Sequence, residues 1–452
     1  MRDELTSPSL TALRSGTAIP DRITIRLGEQ LVDSRVGPVL SLDSPGPGAG
    51  ESGRYYRYVT RLQRTALLSD TGYPDIETFS GTGADERTAK LRAIGEAIER
   101  YCLSLARYDD YPTGTASEVA YRVLDPERMV AFSDAQLASK PFDRADVRDA
   151  EYHWTATTRL PDGETVFVPG QLVRLPFNDE LTVRQPISHG AAAGTDLTSA
   201  LYRGLCELVE RECFAIAYLN ELSVPRIDLE ALPSERCRAL ATELTRMGWQ
   251  LTALDLSLDQ PFETCLVIGV SDGEETPLLS LGLDAADGLL HAIEGALREV
   301  FQFAVQQPAE PTEALLDSPE TAVRTLENRK AFWDRPEMLD ALDFWLDSAA
   351  TREVTVTDSS DSPDHKESIQ RFQDFLRDRG LEAYVSDATT DDIRDRGFRV
   401  LAVSIPEFHP LHLDEQFRYL GTDRLYEVPV RTGYLECRRD EGDLNEVPHP
   451  FL

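Results

Sequence analysis

Two short runs of charge set the chemistry this sequence can do. Glu96, Glu99 and Arg100 stand in GTGADERTAKLRAIGEAIERYCLS, residues 81–104, and Glu207, Glu210 and Arg211 stand in GTDLTSALYRGLCELVERECFAIAY, residues 194–218. Each run reads Glu-x-x-Glu-Arg, and the second repeats the first 111 positions further on. Four converging carboxylates cannot all stay ionised without a cation, because like charges raise one another's pKa. Magnesium meets that need as a hard ion that takes oxygen from a few carboxylates, its shell completed by water and substrate phosphates. Guanidinium groups fit phosphate oxygens by geometry, which gives Arg100 and Arg211 a phosphate to grip. Together these groups point to a metal-bridged nucleotide; a bare one would be repelled.

Such residues must be positioned by helices. At 3.6 residues per turn Glu96, Glu99 and Arg100 share one face, with Leu91, Ile94, Ile98 and Tyr101 opposite. In the second run Glu207, Glu210 and Arg211 lie together, opposite Leu201, Leu205, Leu208 and Val209. Taken singly, either run is also an ordinary i,i+4 pair on a solvated helix face, contributing about 0.2–0.5 kcal/mol. Their recurrence behind a glycine turn each time favours a site. Gly81-Thr82-Gly83 and Ala193-Gly194-Thr195 would set backbone N–H groups against phosphate at the helix N-termini. The phosphate loop G-x-x-x-x-G-K-[ST], a G-x-G-x-x-G after a strand and a G-x-S-x-G elbow are all missing. A third helix, from about Gly288, offers Arg298, Glu299 and Gln302 near one face, as further ligands or as a plain amphipathic surface. Of the seven histidines, His189 beside Gly190 and His449 between two prolines stand out, either of which can be structural.

The 452 residues suffice for one large domain or about three average ones. With 79 acidic against 46 basic residues the net charge is −33, spread along the chain, and only four of the basic residues are Lys. Such a surface suits a salt-rich, halophilic cytoplasm, where screening weakens self-repulsion. It disfavours nucleic acid and anionic membranes as partners. Six scattered Cys without a C-x-x-C pair read as free thiols, and no zinc site is legible. The N-terminus lacks an apolar h-region and no run of about 18 apolar residues occurs, so the chain is expected to be cytoplasmic.

Residues 1–20 read as a flexible tail and 21–452 as a single large domain with an acidic, loop-rich segment at about 308–366 and a proline-containing tail at 447–452. Residues 55–62 read as a half-buried strand, and residues 153–177 as a hairpin turning at Pro161-Asp162-Gly163 followed by another strand. Strands are expected at 250–256 and 264–270, a helix from Ile369 to about Gly380, and two strands after it. The alternation of helices and strands makes the fold class mixed α/β.

The two motifs resemble those of the YcaO family. Its first signature is similar to Gly81-Thr82-Gly83 followed by Glu96, Glu99 and Arg100, with Thr82 in place of a Lys and Gly95 in place of a Ser. Its second is similar to Ser188-His189-Gly190 and Ala193-Gly194-Thr195 followed by Glu207, Glu210 and Arg211, with His189 in place of an Asn. The helix with Arg298 and Gln302, the segments SIPEFHPLH and GTDRLYEVP and the proline-bearing end extend the likeness over about residues 30–452. The resemblance implies a YcaO-like fold and an enzyme that uses ATP and Mg²⁺ to activate a peptide backbone amide by phosphorylation, for azoline or thioamide formation. It implies Glu96, Glu99, Glu207 and Glu210 as metal ligands. Nucleotide contacts would come from Gly81, Gly83, Arg100, Ser188, Gly194, Thr195, Arg211, Arg298 and Gln302, and a catalytic tail from Pro448, Pro450 and Leu452. A peptide or protein substrate, a separate partner protein for substrate capture or sulfur delivery and a homodimer are expected with it. The alternative is an accessory subunit that binds nucleotide or peptide without turnover.

Overall fold

The computed structural model describes residues 8–13, 21–44, 56–160, 162–272, 278–304, 312–355 and 364–451. It is a mixed α/β structure whose contacts fall into two units. The first takes Arg54–Leu208 and Asp364–Glu407 with the N-terminal residues; the second takes Val209–Pro363 and Phe408–Leu452.

The first unit holds two sheets. Val39–Asp43, Tyr56–Leu62 and Thr78–Gly83 form an antiparallel three-stranded sheet. The larger sheet runs in the order Thr113–Gly114, Tyr152–Leu160, Ala383–Asp387, Arg399–Ser404, Ala191–Gly194, with Thr165–Pro169 paired to Tyr152–Leu160. The expected hairpin forms between Tyr152–Leu160 and Thr165–Pro169, and Gly163 supplies its left-handed residue at φ +82°. Pro161 of that turn lies outside the described residues. The strand expected after the hairpin is instead a 3₁₀ turn, Gly170–Leu172, with the Phe177 ring packed against Gly170. Helix Glu86–Ser104 packs against Thr78–Gly83 and Ala191–Gly194. Its start is capped by Asp85, whose side chain accepts from the Thr88 N–H.

Gly81 is a strand residue here. A Cβ on it would stand 2.2 Å from the Ala93 nitrogen, so glycine lets strand and helix approach closely. Within the segment read as a tail, Leu10–Leu13 form a helical turn with Leu13 buried, its carbonyl accepting from Thr198 Oγ1 at 2.7 Å.

In the second unit a five-stranded sheet runs Leu279–Ala286, Glu263–Val270, Gln250–Asp255, Arg226–Ile227, Thr351–Arg352. Helix Leu289–Ala304 covers it, with Ile293, Leu297 and Val300 fully buried. Gly282 permits this contact, since its Cβ would meet the Ala296 carbonyl at 1.8 Å. The acidic segment is more regular than its composition suggests: Leu326–Trp333 is a helix with Thr325 capping it, and Pro336–Leu342 and Asp343–Leu346 follow as short turns of helix. The helix expected from Ile369 spans His365–Arg379 and ends on Gly380 at φ +66°, and the two strands after it, Ala383–Asp387 and Arg399–Ser404, pair antiparallel in the first unit.

Helix Leu197–Leu219 belongs by its residues to both units, up to Leu208 in the first and from Val209 in the second. Among the described residues five cysteines are buried free thiols, Cys437 is exposed, and no helix is long and apolar enough to cross a membrane.

Candidate functional site

The first Glu-x-x-Glu-Arg run is not a solvated helix face. Glu99 is 8% exposed, and Arg100 is held by Glu96 at 2.6 Å and by Glu99 at 2.9 Å. An exposed pair would be worth little, whereas this guanidinium bridges two carboxylates in a largely dry setting. The Phe79 ring lies 5.9 Å from Arg100, and the half-buried Tyr73 hydroxyl is close enough to feel Glu96, Glu99 and Arg100; burial pushes its pKa up to about 12.

Glu207 joins this group. Burial pushes Glu99 well above its ordinary carboxylate range; Glu96 and Glu207 raise it further, while Arg100 and the Ala193 N–H pull it back. Three carboxylates and one guanidinium thus converge in the first unit, and together they favour either a proton or a cation.

Gly190 sets one of these groups in place. Its N–H donates to Glu207 Oε2 at 3.1 Å and its carbonyl accepts from the Val403 N–H at 2.9 Å. At φ +81° a Cβ would stand 2.2 Å from the Val403 carbonyl oxygen. Gly190→Ala is therefore expected to destabilise the chain by at least about 2 kcal/mol, read as a shifted urea midpoint.

The glycines expected to cradle phosphate stand differently. Gly81 and Gly83 belong to strand Thr78–Gly83, and Gly194 ends strand Ala191–Gly194. Thr195 is half-buried beyond that strand, and the Ser188 carbonyl accepts from the Ala191 N–H in the turn before it. At the helix starts themselves the Asp85 and Asp196 carboxylates accept from the Thr88 and Ser199 N–H groups. An anion there would meet a carboxylate at each helix start.

In the second unit Glu210 is 7% exposed and pairs with Arg211 at 2.6 Å, and the Arg211 guanidinium stacks 4.3 Å from the Phe451 ring. Arg298 faces Glu294 at 3.5 Å and Asp284 at 3.8 Å, Glu299 accepts from the Leu283 N–H at 2.6 Å, and Gln302 is half-buried on the same helix. The proline-bearing tail is buried. Tyr218 Oη and Trp333 Nε1 donate to the Pro448 carbonyl, and Pro450 is covered. Leu452 lies outside the described residues.

Sequence reasoning missed Glu212, which directly follows Arg211 and is fully buried. It accepts from Arg424 at 2.6 and 2.8 Å, from Gln260 at 2.5 Å and from the His409 N–H at 3.0 Å. The signal was available: an acid at the head of CFAIAYL, on a helix whose later residues are all apolar, needs a buried partner. Tyr73 and Phe79 carried no comparable signal.

A family profile described as YcaO cyclodehydratase, ATP- and Mg²⁺-binding, matches residues 80–409. An uncharacterised protein of Methanothermobacter thermautotrophicus is 25% identical over 379 residues, 79% of this chain and 91% of its own length. A heterocyclase solved in complex with substrate and cofactor superposes with a TM-score of 0.77 at 22% identity, covering 99% of this chain and 59% of that one, so the present chain spans less than two thirds of its length. YcaO from Methanopyrus kandleri, bound with AMPPCP and Mg²⁺, gives a TM-score of 0.63 at 16% identity over 89% of this chain and 95% of that one. At these identities the structural likenesses establish the fold. With the profile matching more than half of the residues, the chain belongs to the YcaO family.

Proposed function

We propose that this chain is an ATP- and Mg²⁺-dependent enzyme that activates peptide backbone amides by phosphorylation. The observation that carries the reading is the convergence of half-buried Glu96 and Glu207 and buried Glu99 on Arg100, in which Glu99 is disfavoured as a free anion. The donor set is all oxygen and hard, which fits Mg²⁺, and Glu210, which holds in the second motif the place of Glu99 in the first, is the fourth ligand in this reading. When bound, the ion supplies positive charge to the phosphoryl group in transfer. Arg100 and Arg211 bind phosphate oxygens, and their carboxylate partners keep the guanidinium planes fixed before nucleotide arrives. Arg298 and Gln302 are further nucleotide contacts in this reading.

The amide oxygen takes the γ-phosphoryl group and ADP leaves. A Cys, Ser or Thr side chain of the peptide then closes on the amide carbon to give an azoline, or sulfur delivered by a partner protein gives a thioamide; phosphate departs with the oxygen in either case. The titanic acid excess of the chain fits work in a salt-rich cytoplasm. A second reading, a binding subunit without turnover, rests on Thr82, which is buried with its carbonyl held by Arg92 where the family motif carries Lys.

Calorimetric titration of ATP into the chain at high KCl, with and without Mg²⁺, tests the proposal. Binding should require the ion and should weaken by at least about 100-fold in Glu210→Gln. No heat from folded wild type in either condition overturns it, and Mg²⁺-dependent binding with no phosphate release in the presence of peptide and partner favours the second reading.

A further inference from the structure

Away from the carboxylates above, the second unit gathers His412, Glu415 and His449. One donor atom from each lies within 4.8 Å of the other two, and the residues are 3%, 8% and 3% exposed. His412 Nε2 stands 3.2 Å from Glu415 Oε2. Glu415 Oε1 accepts from Arg329 at 2.8 Å, so Arg329 occupies one carboxylate oxygen and leaves the other to His412. His449 Nε2 is 2.5 Å from the His412 carbonyl oxygen. A carbonyl only accepts, so that nitrogen carries the proton and Nδ1 holds a free lone pair. His449 Nδ1 is buried and makes no hydrogen bond.

We propose that His412, Glu415 and His449 bind one divalent transition ion of the zinc class, which fastens the C-terminal tail to the body of the second unit. Two imidazoles and one carboxylate suit zinc, whereas Mg²⁺ takes oxygen alone. The 3.2 Å between His412 Nε2 and Glu415 Oε2 matches the edge of about 3.3 Å that bonds of about 2.0 Å subtend in a tetrahedron. The third donor lies at most 4.8 Å from the other two, about 1.5 Å beyond that edge. The outer contacts are those a metal site needs: His449 donates its other N–H to a backbone carbonyl, and Glu415 is oriented by Arg329. A small apolar cavity lined by Tyr218, Leu411 and Val447 adjoins the cluster.

The opposing consideration is Arg329, whose charge repels a second cation. Without an ion Arg329 and His412 satisfy Glu415, yet His449 Nδ1 then stays buried and unpaired, which is unfavourable. An ion resolves that cost. It would also tie residues 447–451, already held by Tyr218, Trp333 and Arg329, to residues 412–415.

The test uses the full chain, purified without a polyhistidine tag, stripped with EDTA and titrated with Zn²⁺ and Co²⁺. The expected result is one zinc per chain by mass spectrometry and visible Co²⁺ bands, both weakened more than about 100-fold in His449→Ala and Glu415→Gln and retained in Glu99→Gln. Should the variants fail to fold, zinc-edge absorption on wild type decides, with nitrogen and oxygen ligands at about 2.0 Å expected. Folded wild type that takes up no ion, zinc that persists in folded His449→Ala, or sulfur in the coordination shell overturns the proposal.

Discussion

Glu99→Gln lowers Mg²⁺-dependent ATP turnover by about 10²–10³-fold while raising the melting temperature of the nucleotide-free chain by a few degrees. Both effects come from one carboxylate. In the folded state burial and the charges of Glu96 and Glu207 hold the Glu99 pKa well above the ordinary 4.5. The native chain therefore binds more protons than the unfolded chain as pH rises from about 4.5, and stability declines through that window. The stabilising protonated form is fully present below the unfolded pKa and is lost as pH passes the raised folded value. Gln stays neutral, so the stability gap between variant and wild type should open as pH rises through that range and vanish below it. Saturating Mg²⁺ and ATP should reverse the order, because only wild type gains from the ion. Scanning calorimetry at several pH values reads both signs, and an unchanged turnover would remove Glu99 from the site.

Arg424→Met should cause the largest loss of stability, about 3–5 kcal/mol. Arg424 donates twice to Glu212, which has no exposure, and reaches Asp259 at 2.7 Å. Burial alone would push Asp259 up, and the Arg424 guanidinium outweighs it and holds Asp259 below its ordinary range. Removing the cation strands Glu212 where water does not reach, while Asp259 keeps Arg431 at 2.7 Å. The double variant Glu212→Met with Arg424→Met should recover much of the loss, since a buried pair replaced by apolar side chains is often close to neutral. Because Glu212 follows Arg211 on the helix, the single variant should also loosen Glu210 and Arg211 and weaken ATP binding. Urea midpoints for the two single variants and the double variant measure the coupling, and additive losses would show the pair to be independent.

The placement of the charged residues was legible in the sequence to the extent that it rests on helix periodicity. Glu96, Glu99 and Arg100 share a face because i, i+3 and i+4 positions must, and the same rule gave Glu207, Glu210 and Arg211. The glycines were legible as special positions but not in their use. Gly81 is needed where a strand meets a helix and Gly190 where the backbone turns at positive φ beside Val403, demands that arise only once distant segments meet. Residues 153–177 behaved similarly: Gly163 marked the turn locally, while the segment after the hairpin forms a 3₁₀ turn with Phe177 packed against Gly170, a contact no local pattern contains.

By itself the sequence determined the α/β alternation, the two carboxylate-bearing helices and the hard-oxygen chemistry they offer, because spacing and charge are local properties of the chain. Tertiary structure alone decided how dry those groups are. Burial turned Glu99 from a surface acid into a carboxylate that calls for a cation, gave Glu212 its partner Arg424 from 212 positions away, and set His449 beside His412 and Glu415. Desolvation depends on what the rest of the chain lays over a residue, and no local pattern contains that.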